Sequence, residues 1–121
     1  MPPKRIPPAV GQPAVRGALA GVASDLPTAV RYLLQVLAAD AEGNTVEVRV
    51  PPYGAVQAIE GPRHTRGTPP NVIELGAEAW LALATGGLSW ADAVASGTVS
   101  ASGQRADLTA YLPVRWETIE A

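Results

Sequence analysis

The stretch LPTAVRYLLQVLAADAEGNTVEVRV, Leu26 to Val50, changes its hydrophobic period part-way along. Over residues 26–41, Val30, Leu33, Leu34, Leu37, Ala38 and Ala41 follow the i, i+3, i+4, i+7, i+8 stripe of an amphipathic helix. Ser24 or Asp25 can cap it, Pro27 sits within its first turn, and Gly43 stands where it stops. Arg31, Gln35 and Asp40 fall on its wetter side. From Thr45 to Val50 the valines instead alternate with polar side chains, the pattern of a strand with one face on a core. A helix passing straight into a half-buried strand sets the class as mixed α and β.

The same signals continue outward. Pro51-Pro52-Tyr53-Gly54 supplies a turn and Ala55 to Glu60 a second strand, so a hairpin is expected. Gly61 to Pro70 reads as a proline-stiffened loop, Val72 to Leu75 as a short β run, and Ala77 to Thr85 as a helix ending at Gly86-Gly87. Ser89 and Asp92 stand at capping-box spacing before a short helix to Ser96, stopped by Gly97. Thr98 to Ser102 alternates again as a strand, and Ala106 to Leu112 looks helical until Pro113. Upstream, prolines at 2, 3, 7, 8 and 13 argue against regular structure, and Val15, Leu19 and Val22 suggest a short helix over 14–22. The expected organisation is a proline-rich arm over 1–13, one α+β domain over 14–113 and a tail over 114–121, where Trp116 lies among charges as loop or docking tail. The domain is a small, mainly antiparallel, twisted sheet covered by helices on one side.

Composition removes several classes of function. Among 121 residues there is no cysteine, which excludes thiol nucleophiles, disulfide frameworks and cysteine-bearing zinc sites and fits a reducing, cytoplasmic setting. Nine Lys and Arg against eleven Asp and Glu leave no positive field to hold a nucleic acid. Apolar runs are broken well short of a membrane span, and the prolines after Lys4 and Arg5 do not suit a signal peptide. No phosphate-binding loop, dinucleotide fingerprint, nucleophile elbow or paired-histidine motif occurs. No cofactor is implied. The lone His64 limits a triad to partners such as Ser89 and Asp92, and a cation site to Glu60 and Glu74.

Two features point toward binding instead. In Gly61-Pro62-Arg63-His64-Thr65-Arg66-Gly67-Thr68-Pro69-Pro70, Arg63, His64 and Arg66 are suited to an anion, although pairing with Glu60 and Glu74 is the plainer role for the arginines. Trp80, Trp90, Tyr32, Tyr53, Tyr111 and Leu83 either fill a core or line an apolar cavity. With 22 alanines and no phenylalanine, the elements must pack very close or leave space.

The C-terminal half, Asn71 to Pro113, resembles that of a sterol carrier protein 2 domain: a β run, a helix bearing Trp80, Leu81 and Leu83, then Gly86-Gly87-Leu88, a short helix, Gly97 before Val99, and Gly103 before Leu108 and Leu112. The segments VEVRVPPYGAVQ, GPRHTRGTPPNVIE, WLALATGGLSWADAVASG and ASGQRADLTAYLP resemble small sterol-carrier-like proteins of actinobacteria, over roughly Ala29 to Pro113. The resemblance implies the sterol carrier protein 2-like fold and a non-enzymatic role, binding or moving a lipid or other hydrophobic small molecule in an apolar cavity. Leu34, Leu37, Val56, Ile73, Trp80, Leu83, Trp90 and Leu108 are the expected lining, with Arg63, His64 and Arg66 toward a polar head group. A related domain accompanies mycothiol-dependent, DinB-like enzymes. This gives an alternative role as accessory to a separate enzyme, with an acidic small molecule at Arg63 to Arg66. The chain departs from the better-known carriers in lacking phenylalanine, in its proline-rich arm, and in ending Ile119-Glu120-Ala121 rather than in a peroxisomal address.

Overall fold

The change of period after Ala41 is a structural junction: helix α2 runs from Leu26 to Asp40 and strand β1 from Val46 to Val50. The computed structural model describes residues 4–61 and 71–117. Its other elements are α1 (Pro8–Leu19), β2 (Gly54–Ala58), β3 (Val72–Leu75), α3 (Ala77–Thr85), α4 (Trp90–Ala95) and β4 (Val99–Ser102), with 3₁₀ turns at Ala23–Asp25 and Thr109–Tyr111.

The strands form one sheet in the order β2-β1-β3-β4. The outer pairs, β1 with β2 and β3 with β4, are antiparallel, whereas β1 and β3 run parallel with Val48 opposite Ile73. Alternation decides what each face carries. Val46, Val48, Val50, Ala58, Ile73, Leu75 and Val99 are buried, while Glu47, Arg49, Ala55, Gln57, Glu74, Ser100 and Ser102 stay half-buried or exposed on the other face. The buried face joins Val30, Leu33, Leu34 and Leu37 of α2, Trp80, Leu81, Leu83 and Ala84 of α3, and Ala93 of α4 in one core. The indole of Trp80 donates to the Val30 carbonyl at 3.3 Å, tying α3 to α2.

Asn71, buried at the start of β3, joins three segments. Its side chain donates to the Thr45 carbonyl at 3.1 Å and accepts from the Arg105 amide at 3.0 Å, while its own carbonyl accepts from the Glu47 amide at 3.0 Å. The Asn71 side chain and Thr45 are buried, where an unmade bond is costly. Ser89 caps α4, accepting from the Asp92 amide at 3.1 Å, and Gly86 ends α3 at φ +91°.

Two expectations need correction. Of the arm expected to lack regular structure, only residues 4–7 among those described are without it; the helix begins at Pro8 and runs through Pro13. Pro8 stands in the first turn, where its missing amide proton costs nothing. The rest of α1 is held by packing: Gly11, Ala14 and Val15 form a buried stripe, and a Cβ on Gly11 would fall 2.1 Å from the Tyr32 ring. Tertiary contact here overrides a poor local propensity. The second correction concerns Ala106 to Leu112, which forms only the turn Thr109–Tyr111. The Asp107 carboxylate accepts from the Thr109 amide at 2.8 Å, offering the backbone an alternative to helix, and Leu112 is extended before Pro113. The tail then docks: the Val114 amide donates to the Ala84 carbonyl at 2.9 Å, and Trp116 is buried with the Arg16 guanidinium 5.9 Å from its ring centre.

Hydrogen bonds from the Thr109 side chain and amide hold the Asp107 carboxyl below the usual carboxylate range. A lowered folded-state pKa stabilises the fold above the unfolded value, near 3.9, and that contribution disappears as pH falls through the folded value. Asp107→Asn is therefore expected to cost at most about 1 kcal/mol at neutral pH, because solvent screens the exposed carboxylate. In urea titrations the deficit relative to wild type should shrink as pH falls below the unfolded value and vanish once Asp107 is protonated in the folded state as well.

Candidate functional site

Helix α2 packs on the edge strand β2 with Leu34 beside Gly54, where a Cβ would stand at an ordinary contact distance of 3.5 Å from Leu34 Cδ1. Lys4 to Ile6 closes a third side. The result is a groove of about 610 Å³. Its apolar surface comes from Ile6, Leu34, Ala38, Ala39, Ala55 and Val56, and its polar rim from Lys4, Arg5, Arg31, Gln35, Glu42 and Tyr53. Arg31 is fixed at one end, its Nε donating to the Tyr53 carbonyl at 3.0 Å and its guanidinium lying 6.0 Å from the Tyr53 ring centre. Apolar walls with a few placed polar groups, at this volume, are characteristic of small-molecule sites.

A smaller hollow of about 350 Å³ lies at the other end of the helical layer, between Leu83, Leu88, Trp90, Leu112 and Pro113. The eight apolar residues singled out in the sequence are distributed among three places. Leu34 and Val56 line the groove, and Leu83 and Trp90 line the hollow. Leu37, Ile73, Trp80 and Leu108 are fully buried in the core and line neither. The abundance of small side chains is met at these positions by close packing, as native interiors usually are. Arg63, His64 and Arg66 lie outside the described residues.

Sequence reasoning offered Tyr53 as core or cavity lining, and it lines the groove; Lys4, Arg5, Ile6, Arg31 and Gln35 were missed as site residues. Arg31 and Gln35, one turn apart beside Leu34 and Ala38, mark the border of the helix's apolar stripe; that border was the available signal. The proline-rich start hid the rest, because nothing local announces that it returns to α2. Ser89, a candidate triad member, is occupied as the cap of α4, and no cluster of three metal-ligating side chains occurs among the described residues. No helix among them is long and apolar enough to cross a membrane.

A four-stranded sheet with helices on one face and an apolar groove at the edge defines a mixed α+β domain of the sterol carrier type. The chain belongs to the family of bacterial sterol carrier protein orthologs, whose sequence profile matches residues 23–114. The match spans α2 through the docked Val114, whereas α1 and the Lys4 to Ile6 wall precede it. Comparison with curated protein sequences gives no match.

Proposed function

We propose that this protein binds a lipid or other hydrophobic small molecule in the groove between α2 and β2, and acts as a carrier without catalysing a reaction. The observation that carries this reading is the 610 Å³ groove with its apolar floor and polar rim; membership of the sterol carrier family supports it. Affinity would come from removing apolar ligand surface from water, at about 25 cal/mol per Å² before ordering costs. An accessory role beside a separate enzyme rests on Arg63, His64 and Arg66, and the described residues add nothing in its favour.

Ala38 lies half-buried in the groove wall, so Ala38→Trp fills the space from a helix position that tolerates a larger side chain. Titration with a fluorescent long-chain fatty acid and a fluorescent sterol should show saturable binding of at least one. Ala38→Trp should weaken that binding by at least about tenfold, or 1.4 kcal/mol, with little change in melting temperature. Equal binding by wild type and variant would remove the groove as the site.

A further inference from the structure

Gln35 joins α2 to the chain's first described segment through both ends of one carboxamide. The Ile6 amide donates to Gln35 Oε1 at 2.8 Å, and Gln35 Nε2 donates to the Ile6 carbonyl at 2.8 Å. A carboxamide alone among side chains of this length presents an acceptor and a donor side by side, so it pairs with Ile6 as a neighbouring strand would. The bonds span 29 residues and pin a short extended strap, Lys4 to Pro7, along the groove. The strap contributes one apolar wall residue, Ile6, and two of the three cations on the rim, Lys4 and Arg5. Arg31 supplies the third, against the single carboxylate of Glu42. Among the described residues neither Lys4 nor Arg5 is in an ion pair; the two pairs present are Arg49 with Glu47 and Arg115 with Asp40.

We propose that Gln35 is a specificity-determining latch: by pinning the strap it places Lys4 and Arg5 at the groove, so that the site favours an amphiphile with an anionic carboxylate head over the same tail with a neutral head. This rests on the reading of the groove as the binding site. With the latch broken, the strap detaches, its cations no longer share the site, and Arg31 alone retains a charge preference. The groove is then open on one side, so release of any ligand quickens.

The test uses the full chain and two probes with one fluorescent tail, a long-chain carboxylic acid and its methyl ester. Wild type is expected to bind the acid about tenfold more tightly than the ester at low salt, a preference that shrinks as salt screens the exposed cations. Gln35→Met keeps side-chain length and helix propensity but makes neither bond, and should reduce the ratio to about threefold or less. Lys4→Ala/Arg5→Ala should lower the ratio similarly in wild type and add almost nothing to Gln35→Met, since residues that act through one device are not additive. A full ratio in Gln35→Met, or an equal further loss from the double substitution in both backgrounds, overturns the latch. A readout independent of ligand is trypsin cleavage at Arg5-Ile6, which should be about tenfold faster or more in Gln35→Met; an unchanged rate also overturns it. If Gln35→Met folds poorly, Gln35→Glu, which loses the donated bond to the Ile6 carbonyl, should show the faster cleavage. Failure of wild type to bind either probe sinks the groove reading itself, whereas binding with no difference between the probes sinks only the latch.

Discussion

Replacement of Trp80 by alanine should cost about 3–5 kcal/mol, the range for deleting a large aromatic side chain from a core. Trp80 is fully buried at the junction of sheet, α2 and α3, and its indole donates to the Val30 carbonyl. The emptied volume cannot collapse easily, because Leu33, Leu37, Leu83 and Ile73 are themselves fully buried in the same cluster. For a domain whose total stability is of order 5–15 kcal/mol this is a large fraction of the total, and the urea midpoint should fall steeply. Trp80→Phe keeps most of the filling but loses the hydrogen bond, and should cost about 1–2 kcal/mol. Urea denaturation followed by far-ultraviolet circular dichroism measures both. A Trp80→Ala midpoint close to wild type would mean that the core does not close around this ring.

The second large effect is expected at Gly43, between α2 and β1. Gly43 has φ +145°, a conformation that side chains rarely adopt, and a Cβ there would lie 2.1 Å from the carbonyl oxygen of Ile59 and 2.6 Å from the Glu60 amide nitrogen. These are main-chain atoms that cannot swing aside. They belong to a tightly bonded crossing, in which the Ile59 amide donates to the Ala41 carbonyl at 2.7 Å and the Thr45 amide to the carbonyls of Ala58 and Ile59 at 3.2 and 3.1 Å. Gly43→Ala must strain the turn or push the end of β2 away from α2, for about 2–4 kcal/mol. Those two elements wall the groove, so binding of a fluorescent fatty acid should weaken along with stability. Wild-type stability in Gly43→Ala would show that the turn does not sit against β2.

The sequence was most informative where local signals agreed. The stripe on α2, the alternating valines of β1, the glycines after α3 and the Ser89 cap each identify an element, because each places its own chemistry within a few residues. The failures at α1 and at Ala106 to Leu112 have opposite causes. At α1 the prolines moved the expected helix to 14–22 and hid its first half, which Gly11 packed against the Tyr32 ring secures, and at Ala106 to Leu112 an apolar pattern concealed an aspartate that captures the backbone. The candidate site was less legible than the fold for the same reason. Leu34 and Val56 could be chosen as apolar residues on the right elements, yet nothing local distinguishes them from Leu37 and Ile73, which the core absorbs. The return of the strap to Gln35 is a contact across 29 residues and has no period or spacing to betray it.

The positions of the three tryptophans also govern how this protein can be watched in solution. Trp80, Trp90 and Trp116 are all buried, and none lines the groove, where Tyr53 is the aromatic residue. Their emission therefore reports on unfolding while staying nearly silent when a molecule settles between α2 and β2. Trp90 does border the smaller hollow, so a change in intrinsic emission on adding a ligand would locate that molecule at the opposite end of the helical layer. A silent tryptophan signal alongside a responsive extrinsic fluorophore is the optical signature of occupancy at the groove.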